Sequence, residues 1–585
     1  GCSSLETLTL KNVAKIDSSD TNRTFGGCMS LKKVSVTGVT TTATTGETTL
    51  STTIGTSAFK DNKALKEINL DTIKTVSQEA FRGCGVADDG TDPATLTLNN
   101  VNAIGSLAFY GCGFKAVQIP RQLTSVATGK IDGVEYGLFA GGKLETVSFG
   151  TLINTIPDNL CMNTTSLQKI DLQSVKASLK TIGKNAFKGC TSVEEVTIPK
   201  GVLTVSNSAF EGCSGLTDVT IAAKTINAKA FAECTNLKAV KMEEGVTTIQ
   251  GMAFANTQIS AVTIPSTLTT AGTTKEGTIE KGPFAGTMIA TVHGQTEDST
   301  EVQEGATILP ETKKIPDNLF LGCTSIIDVQ IPETVTEIGQ KAFKDASSVE
   351  NVTFAVNTET GKVKGVEKIG ISAFDGCSSL QELVLPETVT EVLQGAFANE
   401  GALVKVDMSR AASLKKWDKE SFKDDTALAE VILPTAGGIT AIPDGAFAGC
   451  TTLTGENLKI PKNIVTITAN AFKETGLKKL YIPNQVTTIG ASAFEACKNL
   501  EDVHISNNIS IINQSTFKNC ERLEKVEIPV KVAKIGTNAF YGSGLKDVYI
   551  FGDPEIGGGI TNTYAGMKNQ LSVFEKEVVD EPASA

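Results

Sequence analysis

The chain has 585 residues, of which 40% are hydrophobic and 20% are charged, and its formal net charge is −12 at pH 7. This composition predicts a folded protein, and no apolar run is long enough to span a bilayer, so we expect no membrane insertion. The chain is acidic and has no cluster of Lys and Arg residues, which argues against nucleic acid and anionic membranes as partners. Length alone would predict three or four globular domains, so internal periodicity decides the domain organisation.

The chain opens inside a repeated unit. Its first residues, "GCSSLETLTL" (1–10), match "GCSSLQELVL" at 376–385. We therefore expect a fragment that begins in the middle of a repeat and belongs to a longer protein, so the missing targeting signals are uninformative.

Each repeat is marked by a Phe, as in "TIGKNAFKGCTSVEEVTIP" (181–199) and "TIGASAFEACKNLEDVHIS" (488–506). The commonest spacing between these marker residues is 23, and Cys161 takes the place of one Phe. The markers are Phe25, Phe59, Phe81, Phe109, Phe139, Cys161, Phe187, Phe210, Phe231, Phe254, Phe284, Phe320, Phe343, Phe374, Phe397, Phe422, Phe447, Phe472, Phe494, Phe517 and Phe540. A period of this length predicts a stacked array of repeats.

The elements of one repeat follow from its consensus, A-F-x-G-C-x-x-L-x-x-V-x-I-P-x-x-V-x-x-I-G. The marker segment predicts a short helical turn that places Phe and the residue three positions later on one face. The L-x-x-V-x-I segment alternates with period two and predicts a strand with one buried face. Pro residues such as Pro199 and Pro483 end that strand, and V-x-x-I-G predicts a second short strand. About 22 such repeats would stack into a solenoid.

Insertions lengthen some repeats. The segments 37–53, 127–136, 269–282 and 294–307 are rich in Thr, Gly and Glu, and they predict surface loops. The acidic "VADDGTDPA" (86–94) lacks the ligand spacing of a calcium loop, which favours a solvated loop. The insertions are consistent with binding loops and equally with plain surface variation.

The C-terminus departs from the consensus. We expect a solenoid over 1–550, a degenerate capping repeat over 551–574, and a flexible tail over 575–585. In the cap, Tyr564 stands where Phe belongs and Met567 stands where Cys belongs, and the chain becomes polar after Phe574.

This repeat resembles the BspA-like, or treponemal-type, class of leucine-rich repeats, and the resemblance covers about residues 1–574. It implies a right-handed coil with a parallel β-sheet on its concave face. It also implies a bacterial or protist protein of the cell surface or extracellular space, often concerned with adhesion to host components.

The cysteines follow the repeat rather than a disulfide framework. Twelve of the thirteen lie three positions after a marker or in the equivalent position at Cys2, and Cys161 is itself a marker. All thirteen are therefore predicted to face the core as free thiols, since equivalent side chains on stacked repeats point in parallel. A disulfide between neighbouring repeats is the alternative, because distance alone does not exclude it. The predicted core ladder includes Phe187, Cys190, Phe210, Cys213, Phe494, Cys497, Phe517 and Cys520.

Catalytic and metal constellations are not evident. The two histidines, His293 and His504, lie many repeats apart, and no CxxC or Cys/His cluster suggests zinc. Trp417 takes the position of a buried Ile and is interpreted as core. The sequence predicts neither an enzyme nor a cofactor.

A binding surface is predicted in the outward position between V and I of the first strand. Along the chain this position changes from small polar residues to Val384, Ile432, Tyr481, His504 and Tyr549. Tyr and His favour interfaces, which makes these five the candidate ligand-binding residues. Simple stabilisation of an exposed sheet face is the alternative.

The leading functional hypothesis is a non-enzymatic recognition or adhesion protein that binds a host or neighbouring-cell protein or glycan. Adhesion rests on the family resemblance, because a fold alone does not specify a function. The alternatives are a spacer without a ligand and an accessory module of a carbohydrate-active enzyme.

Overall fold

The structure is a computed structural model and describes residues 2–42, 48–50, 52–86, 95–295, 303–355, 364–556 and 571–573. The chain divides into two compact units: residues 1–289 with 295–309, and residues 290–294 with 310–585. Each unit is a parallel β-solenoid, and the coils number about 22 in all. The predicted repeat solenoid is therefore confirmed.

One long column of parallel strands, the main ladder, runs through each unit. In the first unit it forms two sheets. The first sheet contains Thr7–Val13, Lys33–Gly38, Glu67–Asn69, Leu96–Thr97, Ala116–Ile119, Thr146–Phe149 and Lys169–Ile170. The second contains Glu195–Ile198, Asp218–Ile221, Ala239–Met242, Ala261–Ile264 and Gly305–Ile308.

In the second unit the main ladder forms four groups of strands. The first group is Thr291–Gly294, Asp328–Ile331 and Asn351–Phe354, and the second is Glu382–Val384, Lys405–Asp407 and Glu430–Ile432. The third is Lys479–Tyr481 and Asp502–His504, and the fourth is Lys525–Ile528, Asp547–Ile550 and Leu571–Val573. Neighbours within a group pair in parallel, in register.

A second ladder of short parallel strands lies after the main one in most coils, as predicted. In the first unit its strands are Lys15–Ile16, Thr52–Ile54, Ile73–Val76, Ala103–Ile104, Thr155–Ile156, Thr181–Ile182, Thr204–Val205, Thr225–Ile226, Thr248–Ile249 and Thr270–Ala271. In the second unit they are Lys314–Ile315, Glu337–Ile338, Lys368–Ile369, Glu391–Val392, Lys416–Trp417, Ala441–Ile442, Thr466–Ile467, Thr488–Ile489, Ile511–Ile512, Lys534–Ile535 and Glu555–Ile556. Trp417 is buried, as its place in this ladder predicts.

The strand Glu195–Ile198 shows why the consensus makes a half-buried strand. Val196 and Ile198 point into the core, whereas Glu195 and Thr197 are exposed. Buried and exposed side chains alternate because successive side chains of a strand point to opposite faces. Pro199 follows directly and lacks the N–H that would continue the ladder.

The marker segment is a run of tight turns, where the sequence predicts short helical turns. Asn185 has φ of 53° and Gly189 has φ of 72°, and such left-handed residues interrupt a helix before it forms. The intervening Phe187 N–H instead donates to the Ala209 carbonyl of the next coil at 2.8 Å. Within the described residues, the one helical segment is a short 3₁₀ turn at Gln173–Val175.

The marker Phe side chains form stacked columns in the core. Phe210 and Phe231 have ring centroids 5.0 Å apart and an interplanar angle of 3°. Residues of the predicted core ladder, from Phe187 to Cys520, have 0% exposed surface. Because each coil contributes one marker Phe at the same place, the Phe rings of successive coils pack against each other.

Apart from Cys2, the cysteines are buried in the core and form no disulfide. The Sγ of most of them donates to the carbonyl of the marker residue one coil earlier, as Cys213 does to Phe187 at 3.1 Å. Burial raises the pKa of several of the buried thiols, to about 12 for Cys112 and about 11 for Cys497. The prediction for Cys2 is wrong: this cysteine is exposed, since within the described residues only the following coil packs against it.

Three insertions fold as antiparallel hairpins rather than as irregular loops. They are Thr40–Thr42 with Thr48–Leu50, Gly129–Ile131 with Val134–Tyr136, and Thr274–Glu276 with Ile279–Lys281. The insertion predicted over 294–307 is corrected in part, because Gly305–Ile308 is a main-ladder strand paired with Ala261–Ile264.

Some predicted features lie outside the described residues. These are the acidic loop from residue 87 to 94, the cap residues Tyr564, Met567 and Phe574, and the tail over 575–585. The strand Leu571–Val573 does pair with Asp547–Ile550.

Candidate functional site

Two outward positions on most main-ladder strands form the candidate binding face. In Lys525–Ile528 the exposed residues are Lys525 and Glu527, while Val526 and Ile528 are buried. The position after V is the one predicted from the sequence. The position before V faces outward as well, because the strand has a period of two.

Tyr481 and His504 are brought together by strand register. They are direct partners on neighbouring parallel strands, and adjacent strands lie about 4.8 Å apart. Their rings stack with centroids 4.7 Å apart and an interplanar angle of 9°. Tyr481 is 56% exposed and His504 is also exposed, so the pair presents a flat aromatic surface to solvent.

Tyr549 lies farther along the same face and contacts a cation. The Lys525 Nζ is 4.8 Å from the centroid of the Tyr549 ring, a cation–π geometry. The same ammonium group lies 3.1 Å from the Glu527 carboxylate. The hydrogen bond to Glu527 raises the pKa of Lys525, so this lysine remains charged at neutral pH.

A groove of about 410 Å³ lies between the Tyr481–His504 stack and the Lys525–Tyr549 pair. Asp502, His504, Asn507, Lys525 and Glu527 are among its lining residues. The groove coincides with a break in the main ladder, because Asp502–His504 and Lys525–Ile528 belong to separate sheets. We call this groove, together with Tyr481, His504, Lys525 and Tyr549, the aromatic patch.

Two other predicted site residues lie apart from the aromatic patch. Val384 and Ile432 are on the three-stranded sheet in which Asp407 lies between them. Val384 is 43% exposed and lines a second groove, of about 740 Å³, with Phe354, Pro386 and Arg410. Ile432 is half-buried. The five predicted residues therefore divide between two places.

The second groove also coincides with a ladder break, between Asn351–Phe354 and Glu382–Val384. In the first unit, a groove of about 600 Å³ lies at the break between Lys169–Ile170 and Glu195–Ile198. At these three breaks, neighbouring strands are not joined by ladder hydrogen bonds, and the face opens into a groove. These three grooves thus share one structural origin.

The outward position before V, which sequence reasoning missed, carries ion pairs between successive coils. Lys33 and Glu67 are 2.6 Å apart, and Lys405 and Glu430 are 2.9 Å apart. Both pairs are strand partners in register. The alternation of the strand was the signal that could have identified this position, and with it Lys525.

Within the described residues, no group of three or more His, Cys, Asp or Glu side chains could hold a metal ion. The part of the chain that the structure describes also contains no helix long and apolar enough to cross a membrane.

Several of the solved structures similar to this chain are leucine-rich repeat proteins of bacteria. A leucine-rich repeat protein of Eubacterium ventriosum is 17% identical over 60% of this chain and 83% of that one, with a TM-score of 0.32. A leucine-rich cell surface protein of Faecalibacterium prausnitzii is 16% identical over 83% and 89%, with a TM-score of 0.23. One from Bacteroides ovatus is 16% identical over 93% and 86%, with a TM-score of 0.25.

Curated proteins gave no match to the chain. The model of the BspA type leucine-rich repeat region matches in six copies, over residues 1–128, 90–177, 154–275, 313–363, 361–455 and 440–556. Those matches cover most of the chain and coincide with the stacked coils, the Phe columns and the two strand ladders. The chain therefore belongs to the BspA type leucine-rich repeat family.

Proposed function

We propose that this chain is a non-enzymatic recognition protein that binds a protein or glycan partner through the aromatic patch. The observation that carries the proposal is the exposed Tyr481–His504 stack beside a groove of about 410 Å³. Leucine-rich-repeat proteins are generally scaffolds for interactions with other proteins. Location at the cell surface or outside the cell, and a role in adhesion, are proposed from the family alone.

The aromatic surfaces supply the contact area. An exposed Tyr ring provides a large amphipathic surface and loses little conformational entropy when it is covered. Tyr481 is held by its stack on His504, and Tyr549 by the Lys525 ammonium, so both rings are ordered before a partner arrives. Such preorganisation reduces the cost of binding.

The groove supplies polar contacts between the two aromatic groups. Asp502 and Glu527 contribute carboxylates, Asn507 an amide and Lys525 an ammonium group. Opposite charges are paired, since Glu501 lies 3.4 Å from Arg522 and Glu527 lies 3.1 Å from Lys525. A partner that offers both donors and acceptors along a flat apolar surface therefore fits this patch.

Binding of the wild-type chain to an array of matrix proteins and glycans tests the proposal. We expect a ligand to bind the wild type, and the double variant Tyr481→Ser/Tyr549→Ser to lose most of that binding. Both side chains lie on the outward face, so the melting temperature should change little.

Tyr541→Ser is the matched control. Tyr541 is also an exposed tyrosine, at 43%, but it lies in the marker turn rather than on a strand. It should bind like the wild type. Equal binding by the double variant and the wild type would contradict the aromatic patch as the site. Failure of the wild type to bind any ligand on the array would favour a spacer.

A further inference from the structure

Two carboxylic acids occupy the core position that most coils give to cysteine. Glu400 lies three residues after Phe397, and Asp425 lies three residues after Phe422. Both side chains have 0% exposed surface. They are successive in the column that runs from Cys377 through Glu400 and Asp425 to Cys450.

One oxygen of each acid has a clear hydrogen-bond donor. The Cys377 N–H donates to Glu400 Oε1 at 3.2 Å, and the Glu400 N–H donates to Asp425 Oδ1 at 2.9 Å. Each acid thus links its own coil to the preceding one. The other oxygens, Glu400 Oε2 and Asp425 Oδ2, are buried without a hydrogen-bond partner.

At the equivalent position in the first unit, both polar atoms of the side chain form hydrogen bonds. Asn62 accepts from the Cys28 N–H at 2.6 Å, in the same way as the two acids. Its Nδ2 then donates to the carbonyl of Phe25, the marker of the preceding coil, at 2.9 Å. Cysteine at this position also donates to that carbonyl, as Cys450 does to Phe422 at 3.1 Å. The position therefore favours a side chain with a hydrogen-bond donor.

A carboxylate has no donor, whereas a carboxylic acid has one. We propose that Glu400 and Asp425 are a pair of protonated acids whose O–H groups fill the donor role of Asn62 and cysteine, so that protons hold three successive coils together. Each acid takes up one proton as the chain folds. The second unit is then more stable at low pH, and its stability decreases as pH rises.

The surroundings favour the neutral form. The groups that face the pair from its own coils and from its neighbours are Lys344, Asp375, Cys377, Asp424 and Cys450. The one cation among them, Lys344, is already 2.6 Å from Asp375. Two buried carboxylates in adjacent coils would also repel each other. Burial, reinforced by these neighbouring acids, raises the pKa of both groups well above the usual range.

The direction of the pH effect follows from proton uptake. Unfolded Asp and Glu have pKa values of about 4, so the folded chain binds more protons than the unfolded chain between about pH 4 and the raised values. The free energy of unfolding therefore falls as pH rises through that window. It changes no further once both folded-state groups have lost their protons.

Urea unfolding of the full chain at several pH values tests the proposal with Glu400→Gln/Asp425→Asn. Amides keep both the acceptor and the donor and do not titrate. The double variant should be more resistant to urea than the wild type at neutral pH, and this advantage should shrink toward about pH 4. Equal stability with an unchanged pH slope would overturn the proposal.

Two further measurements cover the case in which the double variant does not fold. Asn62→Asp places an acid at the equivalent position, so it should destabilise the chain at neutral pH and less so in acid. The infrared carbonyl band of protonated carboxylic acid should be present in the folded wild type at neutral pH and weaker in Glu400→Gln or Asp425→Asn. A wild-type spectrum without that band would show that both groups are ionised, and would refute the pair.

Discussion

Phe494 is typical of the marker residues. It is completely buried, and its ring stacks on Phe472 with centroids 5.7 Å apart and on Phe517 with centroids 5.4 Å apart. Offset aromatic stacking adds to the free energy gained by burying each ring. Each marker therefore stabilises its own coil and the contacts with both neighbouring coils.

The variant Phe494→Ala should lower the free energy of unfolding by about 3–5 kcal/mol, because it removes a buried ring and leaves a cavity between two others. Urea unfolding followed by circular dichroism measures the loss. Val465→Ala is the control, since Val465 is 37% exposed, and it should cost much less. A loss for Phe494→Ala no larger than that of the control would contradict the column as a source of stability.

The position three residues after the marker accommodates several side chains, which contact the backbone differently. Cys213 donates to Phe187 of the preceding coil, whereas Thr475 donates to Phe472 of its own coil. Asn62 both accepts and donates. Glu400 and Asp425 can donate a hydrogen bond from this position only as neutral acids. The stability that they contribute therefore depends on pH.

At the scale of elements, the coil tolerates insertions where the chain leaves the stack. The hairpin of Thr274–Glu276 and Ile279–Lys281 follows a second-ladder strand, and Ile279 is 61% exposed at its tip. Lys281 lies 2.5 Å from Glu276 within the hairpin. The main-ladder strands of the same unit pair without using this hairpin.

Replacing residues 275–280 with a Gly-Gly turn should therefore leave the melting temperature nearly unchanged, because surface insertions contribute little to the stacked core. Differential scanning calorimetry provides the measurement. Deleting Thr263 and Ile264 from a main-ladder strand is the contrasting variant and should unfold the coil. A large loss of stability in the shortened hairpin would show that the insertion supports the stack.

At the scale of the whole molecule, each coil contacts only its neighbours, so stability is a sum of local terms. One Phe column of the first unit runs from Phe187 to Phe284 through successive stacks of adjacent coils. The second unit has its own columns, such as the one from Phe320 to Phe540. Neither unit needs contacts between residues many coils apart to form its core.

A fragment of residues 1–309, which contains the whole first unit, should fold by itself. Its circular dichroism per residue should resemble that of the full chain, and urea should unfold it cooperatively. A fragment that ends inside the strand Ala261–Ile264 is the control and should lose its last coil. An unstructured 1–309 fragment would contradict the local model of stability.

Much of the fold could be predicted because one pattern recurs. The alternation in strands such as Glu195–Ile198 determines which side chains enter the core, and the marker period determines what lies above each residue. The turn was harder to predict, because Phe187 and Cys190 share a face both in a helix and in the turn that forms. The left-handed φ of Asn185 decides between them, and that residue type adopts such values only in some contexts.

The candidate site was predicted in part. Tyr481 and His504 could be recognised from their column, but their ring stacking depends on strand register and side-chain rotation. The groove beside them could not be predicted from the sequence, since the spacing from Phe494 to Phe517 is the common 23 residues. By contrast, the repeat that contains the break between Phe354 and Glu382 is longer than the common 23 residues, as the positions of its markers Phe343 and Phe374 show.

The residue pattern was enough to establish the repeat, the buried face of each strand and the family, because periodic burial of apolar residues permits only a stack of like coils. It took the folded chain to show where the main ladder breaks, which outward side chains meet, and what surrounds Glu400 and Asp425. These features depend on how neighbouring coils, remote along the chain, align atom by atom. A hydrogen bond between coils is made or lost within a few tenths of an ångström, which a residue pattern does not resolve.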